Sequence, residues 1–284
     1  MFKESIELEY TPDLNDALFI AGFDGWGNAL DISSGMVDYL IRKLGAKPFG
    51  KINPDRFYRF DESRPFVDIE RGLLKKIDPP GGLLYTISGS HIGRDIIILK
   101  ASEPNLQWYH FIDTILSLCQ RAGVKTIISL GGMYDNVLHT DTVISALASS
   151  RELLAKIKKN KVLSISYKGP GAIHSTINYE AQKRGFECLS LWCHCPYYLQ
   201  GTTHFGLLSH LGSILSEWGG FDLNTDELSV TWIELSKQIQ RIIDKNPELQ
   251  GMINDLRKAK IRGSWDATNR QDKIIKLEDF QKSR

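Results

Sequence analysis

Short aliphatic runs alternate with longer segments of helical periodicity along most of the chain. Six runs are predicted as strands, over residues 17–21, 83–87, 95–99, 126–130, 162–166 and 186–192. Most of them are aliphatic or β-branched throughout rather than strictly alternating, which is typical of central strands covered on both faces. The pattern predicts an α/β fold with a mostly parallel sheet between layers of helices.

Four helices are predicted between these strands, over residues 31–44, 103–121, 141–158 and 175–183. In the first, Met36, Leu40 and Leu44 form an apolar stripe and Gly45 ends it. Residues 48–82 contain several prolines and paired glycines with weak periodicity. We expect a looped or antiparallel excursion there.

The composition changes near Asp222, where a new pair of helical stripes begins. Trp232 and Ile239 lie on the first stripe, Asn246 and Pro247 interrupt it, and Met252 lies on the second. We predict a C-terminal helical hairpin. The chain is therefore divided into an α/β domain over residues 1–225 and a helical extension with a charged tail over residues 226–284.

Composition and charge exclude several function classes. The 284 residues include 35 basic and 34 acidic side chains, so a net charge of +1 favours neither nucleic acid nor an anionic membrane as partner. No signal peptide or membrane span is recognisable, which predicts a cytoplasmic protein. The four cysteines are expected to be free thiols. Cys193 and Cys195 lack the second ligand pair of a zinc site, so no metal is expected.

The segment Gly22-Phe-Asp-Gly-Trp-Gly-Asn28 follows the first predicted strand and precedes the first helix. Leu30 stands where a dinucleotide fingerprint has its third glycine, and Asn28 stands where a P-loop has lysine. Two interpretations remain. The glycines form a tight turn with Trp26 packed over it, or their N–H groups hold a carboxylate or phosphate at the helix N-terminus.

Polar residues and glycines follow several strands of the predicted sheet, where parallel strands bring their carboxyl ends together. Asp135 and His194 follow strands in this way. The candidate crevice residues are Asp24, Asn28, Lys100, Glu103, Gly131, Gly132, His139, Gly169, Gly171 and His174. His139 or His174 could perform acid–base chemistry beside Glu103 or Asp24. In the alternative interpretation Glu103 caps its own helix and the histidines bind loop carbonyls.

Several short motifs together resemble the proteasome assembly chaperone 2 family. They are Gly22 to Asn28, Arg64-Pro65, Glu103-Pro104 with Trp108, Gly131-Gly132, His139-Thr140, Gly169-Pro-Gly171 and Leu191-Trp192. The resemblance covers roughly residues 15 to 225. It implies a three-layer α/β/α sandwich of the phosphorylase/hydrolase-like kind, often homo-oligomeric, with a C-terminal helical segment in the bacterial and archaeal branch. Some members are chaperones of proteasome assembly, and others carry labels as ATP-grasp-type ligases.

The chain departs from this family at two places. Archaeal relatives that dock on proteasomes are thought to use a C-terminal hydrophobic-Tyr-any-residue tail, whereas this chain ends Gln281-Lys-Ser-Arg284. Asp141 stands where the family resemblance implies a basic residue after His-Thr. A protein partner such as a proteasome-like assembly is therefore expected to bind without that tail.

Two functions follow from these observations, with a third interpretation beside them. The first is a homo-oligomeric interaction or assembly-chaperone-like factor, because no complete catalytic signature is present. The alternative is an enzyme or binding protein for a nucleotide-like or carboxylate ligand in the crevice, whose cofactor the sequence does not indicate. The third is a catalytically inactive descendant whose pocket is filled by side chains such as Trp26.

Overall fold

The computed structural model describes residues 5–261, which contain eleven strands and eight α-helices. The strands are β1 (Ile6–Leu8), β2 (Ala17–Asp24), β3 (Lys47–Ile52), β4 (Phe66–Glu70), β5 (Leu73–Asp78), β6 (Gly82–Ile87), β7 (Ile96–Ser102), β8 (Val124–Asp135), β9 (Ile144–Ala148), β10 (Leu163–Ser164) and β11 (Glu187–Pro196). The helices are α1 (Ile32–Lys43), α2 (Pro54–Phe57), α3 (Trp108–Arg121), α4 (Arg151–Ile157), α5 (Ile173–Lys183), α6 (Phe205–Gly219), α7 (Asp226–Lys245) and α8 (Pro247–Ile261).

Nine strands form one mixed sheet in the order β1-β3-β6-β7-β2-β8-β11-β9-β10. Its centre, from β7 to β11, is parallel, with Phe19 of β2 opposite Ile97 and Ile127. β1, β3 and β6 add antiparallel on one side, and β9 adds antiparallel to β11 on the other. The parallel pairing that the sequence predicts is thus found at the centre of the sheet and between the edge strands β9 and β10. The carboxyl ends of the four parallel strands still share one edge.

Helices cover both faces of this sheet, which confirms the α/β/α sandwich. On one face α1 and α6 bury Leu40 and Leu211 against it, and on the other α3 and α5 bury Ile115 and Ile177. Strand β2 serves both layers because successive side chains point to opposite faces. Its residues from Ala17 to Phe23 are accordingly buried without exception, as its aliphatic composition predicts.

Three predicted elements differ from the structure. The helix predicted over 141–158 is wrong in its first half, because Ala146 pairs with Leu191 in the sheet and α4 begins only at Arg151. The predicted central strand over 162–166 is the short exposed edge strand β10. The helix predicted from 103 begins at Trp108. The antiparallel excursion over 48–82 is confirmed, and α6 was not predicted.

The predicted C-terminal hairpin is present as α7 and α8. Ile239 and Ile253 belong to the same buried cluster as α6, and the Trp232 ring stacks on the His204 ring with centroids 3.9 Å apart. The division at residue 226 remains a prediction. The charged tail with Trp265 and the Gln281 to Arg284 terminus lie outside the described residues. Within residues 5–261, no helix has the length and hydropathy needed to cross a bilayer.

Candidate functional site

The glycine-rich loop after β2 is closed by a side chain of its own. Asn28 Oδ1 accepts hydrogen bonds from the backbone N–H groups of Ser33 at 2.8 Å and Ser34 at 3.2 Å, in the first turn of α1. Its amide nitrogen donates to Asp24 Oδ1 at 3.1 Å. The same N–H groups would hold a phosphate or carboxylate at a helix N-terminus. Asn28 therefore occupies the position that an anion would need.

The glycines flanking this loop permit close packing of backbone and helix. A Cβ on Gly22 would lie 2.6 Å from the Ser33 carbonyl oxygen and 2.6 Å from Val37 Cγ1, both on α1. A Cβ on Gly132 would lie 2.6 Å from the Ala29 carbonyl oxygen. These approaches leave no room for any side chain. They support the interpretation of the segment as a tight turn.

Glu103 joins the glycine loop to the N-terminus of α5. Its Oε1 accepts a hydrogen bond from the Ile173 N–H at 2.8 Å, and its Oε2 accepts one from the Trp26 N–H at 3.3 Å. The carboxylate thus caps a helix 70 residues away rather than its own. An acidic group at this position is favoured by the partial positive charge of the helix N-terminus.

Lys100 is held on the other face of the sheet. Its Nζ lies 2.7 Å and 2.8 Å from the two carboxylate oxygens of Asp38 on α1. Glu103 instead bonds α5, which covers the opposite face. The two residues therefore do not converge on one ligand, although both follow the aliphatic part of β7.

The two candidate histidines are buried at separate places, His139 in the turn after β8 and His174 in α5. His139 Nδ1 lies 2.9 Å from the Tyr198 hydroxyl, and burial is the main reason why its pKa is below the ordinary value. His174 Nε2 donates to the Leu130 carbonyl at 2.7 Å, and burial lowers its pKa to about 4. Both rings are hidden from solvent. At neutral pH His174 is a neutral packing group rather than an accessible acid or base.

The remaining candidate glycines lie apart from each other. Gly131 faces the Trp192 ring, and a Cβ there would lie 2.6 Å from Trp192 Cε3. Gly169 and Gly171 lie in an exposed loop, in which the Tyr167 hydroxyl donates to the Pro170 carbonyl at 2.9 Å. The structure therefore sets Gly131 and Gly132 beside the glycine loop, where the Gly132 N–H donates to the Gly27 carbonyl at 2.8 Å, whereas Gly169 and Gly171 lie in the separate exposed loop.

Asp135, His194 and Ser145 form a chain of hydrogen-bonded side chains at the strand ends. The sequence analysis did not predict it. His194 Nδ1 lies 2.6 Å from Asp135 Oδ2, and His194 Nε2 lies 2.9 Å from Ser145 Oγ. Burial raises the pKa of Asp135, but hydrogen bonds from His194 and the Asn136 N–H bring it below the usual range. The order resembles a hydrolase triad, yet Ser145 is 0% exposed. A substrate cannot reach that hydroxyl, so the chain cross-links three strands.

Sequence reasoning missed this chain because Ser145 lies in the segment predicted as a helix. The strand register sets Ser145 directly opposite Trp192, two residues before His194. Asp135 and His194 were recognised as residues that follow strands. The Ser145 hydroxyl can be placed beside them only from the pairing of β9 with β11.

A cleft of about 570 Å³ opens beside the glycine loop. Its lining includes three acids, Asp24, Glu62 and Glu103, and two indoles, Trp26 and Trp108. None of its lining residues is basic, and Lys100 and His139 do not belong to it. Arg59 pairs with Glu62 at 2.7 Å, so the carboxylates of Asp24 and Glu103 are the ones that would repel an anionic ligand. The lining of this cleft thus offers no basic side chain to a nucleotide-like or carboxylate molecule.

Comparison with protein families agrees with the motifs and the fold. The profile of the PAC2 family matches residues 19–243, from β2 into α7. The chain belongs to the PAC2 family. The match covers the glycine loop, Glu103, the Asp135–His194–Ser145 chain and nearly all of α7, and it ends before α8. No curated protein matches the sequence of this PAC2 chain.

Solved structures share the fold of this PAC2 chain. A protein of unknown function from Mycobacterium tuberculosis superposes with a TM-score of 0.81 at 20% identity, covering 92% of this chain and 90% of its own. A PAC2 family protein from Streptomyces avermitilis gives 0.75 at 23%, covering 84% and 100%. A proteasome-assembly chaperone homologue from Mycobacterium tuberculosis gives 0.72 at 22%, covering 83% and 99%. At these identities the likeness establishes the fold.

Replacing Asn28 should show that it caps α1. We expect Asn28→Ala to lower the free energy of unfolding by about 1–2 kcal/mol, because two N–H groups lose their acceptor. Urea unfolding followed by circular dichroism measures the change. Asn28→Ser, which keeps a side-chain oxygen acceptor and adds no charge beside Asp24, should lose less. Equal stability of Asn28→Ala and the unmodified protein would contradict the cap.

Proposed function

We propose that this PAC2 protein acts through protein–protein contacts, as a homo-oligomeric assembly-chaperone-like factor. The observation that supports it most is that the groups at the strand-end edge satisfy one another. Asn28 accepts hydrogen bonds from the N-terminus of α1, and Glu103 accepts one from the N-terminus of α5. Asp38 forms an ion pair with Lys100. A binding or catalytic site keeps such groups available for its ligand. In this protein these groups are already bonded to one another, so its exposed surface is the part that we expect to carry the function.

The family relationship supports the same proposal. One of the structural relatives is described as a proteasome-assembly chaperone homologue, and a shared fold alone does not transfer its role. By analogy we propose that the partner is a multi-subunit protein assembly of proteasome-like kind. The proposal includes a cytoplasmic location. The four free, buried thiols support it, because reducing compartments keep cysteines unpaired.

Native mass spectrometry of the protein gently purified from its own cells tests this proposal. We expect a homo-oligomer without a retained small molecule, together with complexes that contain a second protein. A small molecule retained by the unmodified protein and lost from Lys100→Ala would favour the crevice alternative and overturn the proposal. Lys100→Ala should fold normally, since its half-exposed ion pair contributes less than about 1 kcal/mol.

A further inference from the structure

The cleft beside the glycine loop brings two indole rings next to acidic side chains. We call the part lined by Asp24, Trp26, Glu103 and Trp108 the indole cleft. Trp26 is 66% exposed, so its ring lines the cleft instead of packing over the loop. Trp108 packs in part against the buried cluster of the α3 and α5 face, and its Nε1 donates to the Pro104 carbonyl at 2.5 Å. The N–H of that ring is already used, so the ring offers its carbon surface to a ligand.

Two carboxylates of the indole cleft have no basic partner among residues 5–261. Asp24 and Glu103 lie at the ends of neighbouring strands, and the Glu103 N–H donates to the Asp24 carbonyl at 2.7 Å. The Asp24 carboxylate bonds the neutral Asn28 amide, and the Glu103 carboxylate bonds two backbone N–H groups. The N-terminus of α5 offsets only part of the Glu103 charge. The indole rings therefore lie beside negative charge that no cation balances.

The third acid of the cleft differs from these two. Glu62 pairs with Arg59 at 2.7 Å, and the same guanidinium pairs with Asp61 at 2.9 Å. One base thus serves two acids on this side of the cleft. The charge of Arg59 is used by its own neighbours, so it does not compensate Asp24 or Glu103.

An organic cation matches the indole cleft better than a metal ion does. The face of an indole attracts a cation that lies within about 6 Å of the ring centre. Mg²⁺ and Ca²⁺ instead require about six or more oxygen ligands, which indoles do not provide. Among organic cations the guanidinium of arginine fits best, because it stacks on aromatic rings and donates two parallel N–H groups to one carboxylate. The ammonium of lysine is more strongly hydrated.

The exposure of Trp26 favours an arginine on a protein chain over a small guanidinium compound. A cleft of about 570 Å³ is much larger than one guanidinium group, so a small cation would leave most of the Trp26 ring in water. The residues that flank an arginine in a protein would cover the ring. Tryptophan and arginine are also the side chains that most often anchor protein interfaces.

We infer that the indole cleft binds an arginine side chain of a partner protein, with the guanidinium stacked on an indole and bonded to the Asp24 carboxylate. Asp24 is the main acceptor, because its Oδ2 carries no hydrogen bond within the described chain. Glu103 adds negative charge and ties Trp26 to α5. The inference rests on the proposed function, since it identifies where the protein partner docks and which group is recognised.

The first experiment labels the full chain with fluorotryptophan and follows its fluorine NMR spectrum. The probe is the peptide acetyl-Gly-Arg-Gly-Arg-Gly-amide, and Trp26→Phe and Trp108→Phe assign the two resonances. We expect both resonances to shift and to saturate as the peptide is added. The same peptide with citrulline in place of arginine keeps the shape of the side chain without its charge, so it should cause no shift. A lysine peptide should bind more weakly than the arginine peptide.

Two variants of the indole cleft should weaken the arginine peptide roughly fivefold or more. Asp24→Asn removes the charge but keeps the acceptor of the present hydrogen bond, and Trp26→Ala removes an exposed ring. The matched controls are Asp13→Asn and Tyr179→Ala, which change an exposed acid and an exposed ring outside the cleft and should leave the affinity unchanged. The Trp108 resonance reports binding in all four variants. Thermal unfolding like that of the unmodified protein shows that each variant is folded.

The second experiment tests whether the arginine comes from a protein. Native mass spectrometry compares the unmodified protein with Trp26→Ala, each gently purified from its own cells. We expect Trp26→Ala to lose the complexes with a second protein and to keep the homo-oligomer. Photo-cross-linking from benzoylphenylalanine in place of Trp26 should join the partner at a segment that contains arginine. A cross-linked segment without arginine would contradict the inference.

The outcomes separate this inference from the proposed function. Equal binding of the arginine and citrulline peptides, or full binding by Asp24→Asn, overturns the cation site even if a protein partner is found. Peptide binding with complexes that survive Trp26→Ala overturns the docking and leaves the proposed function standing. An unmodified protein without any second protein overturns the proposed function and the protein source together. Peptide binding with complexes that Trp26→Ala removes supports the inference.

Discussion

Acidification from pH 6.5 to pH 4 should remove several kcal/mol from the free energy of unfolding. His174 and His204 are buried as neutral imidazoles, and burial lowers the pKa of each to about 4. Each shift from an ordinary pKa of about 6.5 corresponds to roughly 3 kcal/mol. The two histidines lie in different helical layers, so their effects should add.

Burial keeps both rings neutral, and neither ring has an acceptor in place for a second proton. His204 Nδ1 accepts from the Leu207 N–H at 3.1 Å, so a proton there would face another N–H. His204 Nε2 lies 3.1 Å from the His139 carbonyl oxygen, to which it donates. His174 Nδ1 is buried without a partner, and protonation would bury an unpaired charge.

The sign of the effect follows from proton binding. Between pH 6.5 and 4 the unfolded chain has protonated both histidines and the folded chain has not, so the unfolded state binds more protons. The contribution of the two neutral histidines to the free energy of unfolding is therefore fully present above about pH 6.5. It decreases as the pH drops and is lost below about pH 4. Urea unfolding at a series of pH values measures the slope.

Two substitutions separate these histidines from other acid effects. His174→Gln and His204→Gln each lower stability at pH 7 but remove a titrating group, so each should reduce the slope between pH 6.5 and 4. The double variant should reduce it most. A double variant with the slope of the unmodified protein would show that other groups cause the acid sensitivity.

The sequence predicted the centre of the fold better than its periphery. Strand β2 is recognisable because a run from Ala17 to Phe23 that is apolar throughout fits only a doubly covered position. Strand β9 was predicted as helix because Ile144 and Leu147 have helical spacing, and only pairing with β11 decides otherwise. Among residues 5–261, the β4–β5 hairpin belongs to neither buried hydrophobic cluster, so no burial pattern marks it.

The candidate site illustrates what strand ends can and cannot predict. Parallel topology correctly brought Asp24, Glu103 and Asp135 to one edge of the sheet. The topology does not predict on which face of the sheet each side chain lies. Lys100 bonds α1 and Glu103 bonds α5, so they lie on opposite faces. Their partners, Asp38 and Ile173, come from helices whose packing the sequence alone does not fix.

Gly22→Ala should lower the free energy of unfolding by roughly 2–3 kcal/mol, as overpacking a closed interface does. The new methyl group would lie 2.6 Å from a backbone oxygen of α1 and 2.6 Å from Val37, so the whole helix must shift. Ser33 also donates to the Leu130 carbonyl and accepts from the Phe23 N–H. Moving α1 therefore strains hydrogen bonds to two strands.

Gly35→Ala is the matched control, because Gly35 lies inside α1 and a Cβ there meets only Leu208 at 3.9 Å. It should stabilise the protein by about 0.5–1 kcal/mol through higher helix propensity. Chemical unfolding of both variants gives opposite signs if Gly22 permits the close approach of α1. If Gly22 instead served a ligand, Gly22→Ala would leave the stability of the ligand-free protein unchanged, and the glycine loop would again be a candidate binding site.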